Sequence, residues 1–330
     1  MAAAIVIGLA VAKRHELLRG ALVAGAGIAG YQLRIGGLHV DRGEAVIAGL
    51  SVARASQPLL RAKRITLHYS LRDLFPGSRH RFGLVDVEAA GVKLTLTRFR
   101  DGSFDIALPG TGPAPPGPQP VNGVPLRFHA RVSDAQIVLR EPTAFDASAR
   151  TIRISGINGE AGIDSAAVTS YRIAGAFEER RRREPFTVRG RIDEPAGFAT
   201  HRAKAARFPL RALSNYFAQS PDVVILRGGA SNFDAVVYAL GLEAGVPPSY
   251  HVTLKLDVHD ARLAFRALAI PIEDINARLN IVDNAFFVTG ARATLAKIPL
   301  QIRGGIFDLS GALTGAAQLR LAVWGSGSLR

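Results

Sequence analysis

Past residue 30, apolar and polar positions alternate with period two through most of the chain. Ile65, Leu67, Tyr69 and Leu71 alternate with Arg64, Thr66, His68 and Ser70, and Val92, Leu94 and Leu96 with Lys93, Thr95 and Thr97. The pattern returns at Leu126–Ser133, and at Val252, Leu254, Leu256 and Val258 against His251, Thr253, Lys255 and Asp257. It recurs at Ile275, Ala277, Leu279 and Ile281, and at Leu319, Leu321 and Val323. Each run predicts a strand with one buried and one wet face. Such strands point to antiparallel sheets, since strands of a helix-covered parallel sheet are apolar on both faces. Helical periodicity is scarce; Leu210–Gln219, after Pro209, is the best internal candidate. The fold class expected is mainly β.

Punctuation divides this body. Pro109–Pro120 (PGTGPAPPGPQP) cannot be a strand interior, and Asn122-Gly123 beside it is a turn dipeptide. The expected organisation is an N-terminal segment 1–30, a β unit 31–108, a linker or loop 109–123 and a repeating β segment 124–330. Glu178–Glu184 (EERRRRE) reads as the solvated tip of a hairpin between strands near Tyr171 and Phe186. Val132–Arg140 (VSDAQIVLR) matches Val258–Arg266 (VHDARLAFR), and Phe186–Asp193 echoes Leu300–Asp308 in the same order. Repeated strand units suggest a sheet that grows by addition.

Residues 1–12 (MAAAIVIGLAVA) are apolar, and Lys13, Arg14, His15, Glu16 and Arg19 then interrupt. Twelve residues fall short of the ~20 that span a bilayer. With the second apolar stretch Leu17–Gly30, they suggest a membrane-anchor or amphipathic helix whose start is clipped, a buried helix of a soluble protein being the alternative. Gly25-x-Gly27-x-x-Gly30 formally matches a dinucleotide fingerprint. Strand-like Tyr31–Ile35 follows, where the mechanism needs a helix N-terminus for the pyrophosphate.

Charge and composition narrow the chemistry. The 41 Lys+Arg exceed 27 Asp+Glu by 14, and only six of the basic residues are Lys. Such a surplus suits nucleic acid, anionic headgroups or an acidic partner. The chain has no Cys, which excludes disulfides and thiolate chemistry. It carries no P-loop, HExxH, EF-hand or G-x-S-x-G pattern. His251, Asp257, His259 and Asp260 are the densest ligand group, but only Asp257 and His259 are near enough to share one ion, and two ligands are too few. No catalytic residue, cofactor or metal is expected.

The segments Pro58–Leu74, Val85–Leu96 and Arg100–Ile106 (RDGSFDI), with Ala261–Leu279 and Phe286–Gly290, resemble the AsmA-like proteins of the TamB group. The resemblance covers about residues 36–106 and 250–323. It implies an N-terminal inner-membrane anchor and a periplasmic, elongated, curled antiparallel sheet forming an apolar groove. It also implies phospholipid carriage between inner and outer membranes, or support of outer-membrane protein assembly and secretion with a β-barrel partner. It implies no enzyme activity, and no nucleic acid is expected as partner. The chain would then be an N-terminal part of a longer protein. Physically, a trough gains ~0.8 kcal/mol per buried CH₂, with headgroups at an Arg-bearing rim. The groove candidates are Ile65, Leu67, Tyr69, Val92, Leu94, Leu96, Val252, Leu254, Leu256, Ile275, Leu279, Ile281, Leu319, Leu321 and Val323. The alternative for the same side chains is a closed structural core with no ligand.

Overall fold

In a computed structural model, the described residues are 31–54, 57–70, 72, 83–97, 127–140, 151–164, 168–179, 182–193, 195–210, 223–241, 249–265, 268–282, 285–302 and 323–325. The segment 1–30 with its glycine fingerprint, the loop 109–123 and the helical candidate after Leu210 lie outside them. Among the described residues no helix is long and apolar enough to cross a membrane.

Leu319 and Leu321 lie outside the described residues, among which the alternation produces strands where it was read. They are β1 (Gln32–Asp41), β2 (Glu44–Arg54), β3 (Gln57–Tyr69), β4 (Leu84–Ala90), β5 (Lys93–Thr97), β6 (Arg127–Arg140), β7 (Thr151–Asp164) and β8 (Val168–Glu179). There follow β9 (Arg182–Asp193), β10 (Phe198–Pro209), β11 (Val223–Leu240), β12 (Ser249–Phe265), β13 (Ile272–Val282), β14 (Ala285–Leu295), β15 (Ile298–Ile302) and β16 (Val323–Gly325). The chain divides into two compact units. The first holds β1–β4, residues 93–95 of β5, 127–137 of β6 and 156–164 of β7; the second holds residues 96–97 of β5, 138–140 of β6, 151–155 of β7 and β8–β16.

In the first unit the strand order is β1-β2-β3-β4-β6-β7, with β5 beside β3 and β6. The neighbourhood of β6 departs from the antiparallel expectation: β4 and β6 run parallel, Asp86 opposite His129 and Ala90 opposite Ser133. The long segment between β5 and β6 allows this, since parallel neighbours require a crossover connection. In the second unit β8 to β16 follow one another as antiparallel neighbours in chain order. The hairpin expected at Glu178–Glu184 is there, with Glu178 opposite Arg183 and Glu179 opposite Arg182.

Strict alternation breaks at one recurring place. Between two apolar residues stand two others, the second with left-handed backbone. The cases are Ile47-Ala-Gly49-Leu50, Ala89-Ala-Gly91-Val92, Val132-Ser-Asp134-Ala135 and Ile154-Ser-Gly156-Ile157 in the N-terminal half. They recur as Ala230-Ser-Asn232-Phe233, Val258-His-Asp260-Ala261, Ile272-Glu-Asp274-Ile275 and Val288-Thr-Gly290-Ala291. The left-handed φ angles lie between 49° at Asp260 and 69° at Gly290. Only Gly, Asn and Asp occupy these positions, the residues that tolerate that region best. One extra residue shifts the parity, so side chains three apart, such as Val258 and Ala261, are both buried. In the second unit the ladders record this as register shifts at Ser231/Asp234, Val258/Ala261 and Glu273/Asn276. In the first, Gly36 and Gly49 face each other and the register runs through: Ile35 opposes Leu50, and Gly37 opposes Ala48.

The repeated sequence is explained here. Asn158 Oδ1 accepts from the Asp134 N–H at 3.1 Å while its Nδ2 donates to the Gly156 carbonyl at 3.0 Å. Asn276 does the same for Asp260 at 3.3 Å and for Asp274 at 2.9 Å. One amide thus staples two neighbouring left-handed sites whose backbone groups the ladder has abandoned. Asn276→Ala and Asn158→Ala are each expected to lose about 1 kcal/mol in denaturant unfolding. Asp260→Gly should be neutral or stabilising, whereas Asp260→Val should cost more than about 1 kcal/mol, since a β-branched residue resists positive φ.

Candidate functional site

The apolar face of the first unit is built on the far side of these insertions. On β3, Ile65 stands opposite Ile47 and Ala89, and Leu67 opposite Ala45 and Val87. Leu38 and Val40 extend the field onto β1, opposite Ile47 and Ala45. Ile65, Leu67 and Tyr69 are half-buried, as are Ile47, Val87 and Ala89. The Tyr69 hydroxyl donates to the Asp41 carbonyl, which anchors the ring at the end of the field. On the other side of the insertions Val92 and Leu94 are half-buried, with Leu94 opposite Leu60; Leu96, also half-buried, falls in the second unit. The sealed residues of this unit are others: Ile35 at 2%, Ala62 at 3% and Leu59 at 4% exposure. Two threonines correct the simple alternation. Thr66 and Thr95 are buried while the leucines and isoleucine flanking them are not. Thr66 is tolerated there because its hydroxyl takes a bond from Arg64 Nε at 3.3 Å.

In the second unit the same kind of residue is enclosed. Leu254, Leu256, Ile275 and Ile281 are buried, and Val252 and Leu279 pack against them. They share one core with Phe208, Phe233, Val258, Ala261, Val288 and Ala291. Phe208 stacks on Phe233 at 4.6 Å between ring centroids and meets Phe177 edge-on at 4.8 Å. Val323 lies on β16, and Leu319 and Leu321 lie outside the described residues.

One polar pair sits within the apolar face of the second unit, and the sequence did not announce it. Tyr171 and His201 lie in register on either side of Gly190. The Tyr171 hydroxyl and His201 Nδ1 are 2.6 Å apart across the glycine. A Cβ on Gly190 would stand 2.4 Å from the Tyr171 ring, so only glycine lets the ring lie across the strand. Burial pushes the Tyr171 phenol up and the His201 imidazole down, because each prefers its neutral form away from water. Nothing short-range signals this pair, since its members are 30 residues apart.

The opposite face carries ion pairs. Asp234 takes Arg202 through Nε at 2.9 Å and lies 3.4 Å from Lys204 Nζ. These hydrogen bonds hold its carboxyl below the ordinary range and raise Arg202. Asp257 receives Asn232 at 2.9 Å and Arg278 at 3.0 Å and is likewise lowered. His259 pairs with Ser231 Oγ at 2.8 Å, and Asp260 is the left-handed residue of its strand. Asp257 and His259 therefore serve the insertions of β11–β13. Register also aligns Glu44, His68, Asp86 and His129 across four strands of the first unit. Even so, among the described residues no three His, Asp or Glu side chains are grouped to hold a metal ion.

Compared with known proteins, the chain matches no family model and no curated protein sequence.

Two outcomes follow from the polar groups. Because His201 titrates below its ordinary 6.5 in the fold, the unfolded chain binds more protons as pH falls through 6.5. Its contribution is thus intact above 6.5 and is lost progressively below it, and His201→Gln should flatten that part of a melting-temperature profile. Asp234 and Asp257, lowered from 3.8, add a second loss only as pH falls through that value. Gly190→Ala should cost about 1–3 kcal/mol in chemical denaturation by displacing the Tyr171 ring.

Proposed function

We propose that the chain is a cell-envelope protein whose apolar β face holds phospholipid acyl chains on their way between inner and outer membranes. The single observation that supports this reading is the half-buried apolar field of the first unit. Ile47, Ile65, Leu67, Tyr69, Val87 and Ala89 lie side by side in register and none is sealed. Isolated apolar residues are ordinary on a surface, whereas a contiguous field marks a site that apolar matter covers. Each methylene laid along it is worth ~0.8 kcal/mol, so a dozen hold a chain by several kcal/mol while leaving it able to slide. Headgroups would stay in water beside the arginines of the strand edges.

In this reading residues 1–30 anchor the protein in the inner membrane, and the strands are periplasmic parts of a longer curled sheet. The resemblance to AsmA-like proteins of the TamB group carries those points, together with support of outer-membrane protein assembly and secretion through a barrel partner. The chain would act as a conduit or scaffold, with no catalytic step.

A specific observation favours the second reading for part of the molecule. Leu254, Leu256 and Ile281 are at most 5% exposed inside the core of the second unit, as a structural β core would have them.

Photo-crosslinking separates the two. A benzophenone residue at Leu67 or Leu94 of the detergent-purified chain should capture phospholipid, seen by mass spectrometry, and one at Leu256 should not. Absence of lipid at Leu67 and Leu94, with none co-purifying, would reduce the protein to a structural β body.

A further inference from the structure

The polar face of the second unit carries a charge arrangement that folding alone does not favour. Arg172 on β8 stands directly opposite Arg189 on β9, and Arg189 directly opposite Arg202 on β10. Directly opposed residues have Cβ atoms about 4.5–5.5 Å apart, and like charges so placed repel. Arg191 and Lys204 sit in the flanking rows of the same face, opposite Thr200 and Thr187. Counter-charge is sparse. Asp234 serves both Arg202 and Lys204, and Asp193 lies 3.5 Å from Arg191. Arg172 and Arg189 are exposed and have neither a hydrogen bond nor an ion pair among the described residues. The other face of these strands bears Ile173, Val188 and Ala203, in register with one another, so the arginines contribute nothing to the core.

At one end of this cationic band the same face turns apolar. Tyr238 lies opposite Thr200 and is 41% exposed; Leu240 lies opposite Phe198 and is 44% exposed. Phe198 backs Tyr238 at 6.3 Å between ring centroids. Guanidinium groups beside an exposed tyrosine and an exposed leucine fit a surface whose phosphates lie above hydrocarbon. A nucleic acid would give the arginines their phosphates and Tyr238 a base to stack on, but it offers Leu240 no apolar medium.

We propose that the Arg172–Arg189–Arg202 row, with Tyr238 and Leu240, is a docking face for an anionic phospholipid membrane. Phosphates between opposed guanidinium groups relieve their repulsion, and the two apolar side chains enter the headgroup boundary. This face lies on the reverse of the core, and the proposal is independent of lipid carriage by the apolar field of the first unit.

The test is co-sedimentation of the full chain with phosphatidylcholine vesicles, with and without phosphatidylglycerol. Binding to plain phosphatidylcholine through residues 1–30 sets the baseline; phosphatidylglycerol should raise binding above it, and that increment should weaken with salt. Arg172→Gln/Arg189→Gln should lower the partition coefficient about thirtyfold, equivalent to about 2 kcal/mol at 1.4 kcal/mol per tenfold. The control Arg34→Gln/Arg61→Gln removes the same charge from exposed positions of the first unit and should bind as the parent does. Tyr238→Ser/Leu240→Ser should weaken binding while leaving its salt dependence in place. Thermal melts verify folding, and the first variant should melt no lower than the parent because like charges have been removed. The proposal is overturned if both arginine pairs lower the phosphatidylglycerol-dependent increment equally, or if phosphatidylglycerol adds nothing to binding. Tighter capture of single-stranded RNA than of vesicles, with the same dependence on Arg172 and Arg189, would make it a nucleic-acid face.

Discussion

A strand that buries one face keeps its apolar residues two apart, and this chain repeatedly sets them three apart. The left-handed residue at Gly49, Gly91, Asp134, Gly156, Asn232, Asp260, Asp274 and Gly290 is what reconciles that spacing with a continuous apolar side. Without the extra residue, everything beyond it would point to the wrong face. The placement of Ala135 and Ile157 in the first unit, and of Ala261 and Ala291 in the second, depends on it. The Asn158 and Asn276 amides matter for the same reason: they satisfy backbone groups that the insertion removes from the ladder.

The two units use this device to different ends. In the second, residues on both sides of the insertions converge into one core, with Val258 and Ala261, Ile272 and Ile275, and Val288 and Ala291 all contributing. The packed aromatic trio Phe177, Phe208 and Phe233 adds large buried area and directional ring contacts. In the first, the register runs unbroken past Gly49, with Ala48 opposite Gly37 and Arg64 and Leu50 opposite Ile35 and Ala62, and the apolar field beyond it is only half covered. A half-covered field of that kind leaves apolar surface within reach of a ligand, whereas a sealed core does not.

Much of the fold was legible in the residues. The runs at Ile65–Tyr69, Val252–Val258 and Ile275–Ile281 became strands, and the Glu178–Glu184 run became a hairpin end, because alternation and turn charge are local properties. The repeat Val132–Arg140 against Val258–Arg266 was visible, but its meaning was not. Asp134 and Asp260 look like ordinary polar positions until their φ angles and their asparagine partners are known. The candidate face was only half legible. Periodicity says which side of a strand is apolar, but not whether another strand covers it, so Leu67 and Leu256 read alike in the sequence and differ in burial. It also placed Thr66 and Thr95 on the wet side, although both are buried.

By itself, the sequence determined the mainly β class, the two-faced strands, the arginine-dominated charge and the lack of thiol chemistry. These follow from composition and from contacts between near neighbours. Only the tertiary structure decided the parallel β4–β6 pair, the Tyr171–His201 bridge over Gly190, and the opposition of Arg172, Arg189 and Arg202. Each joins residues on separate strands, and register between strands is a long-range choice that no local pattern encodes.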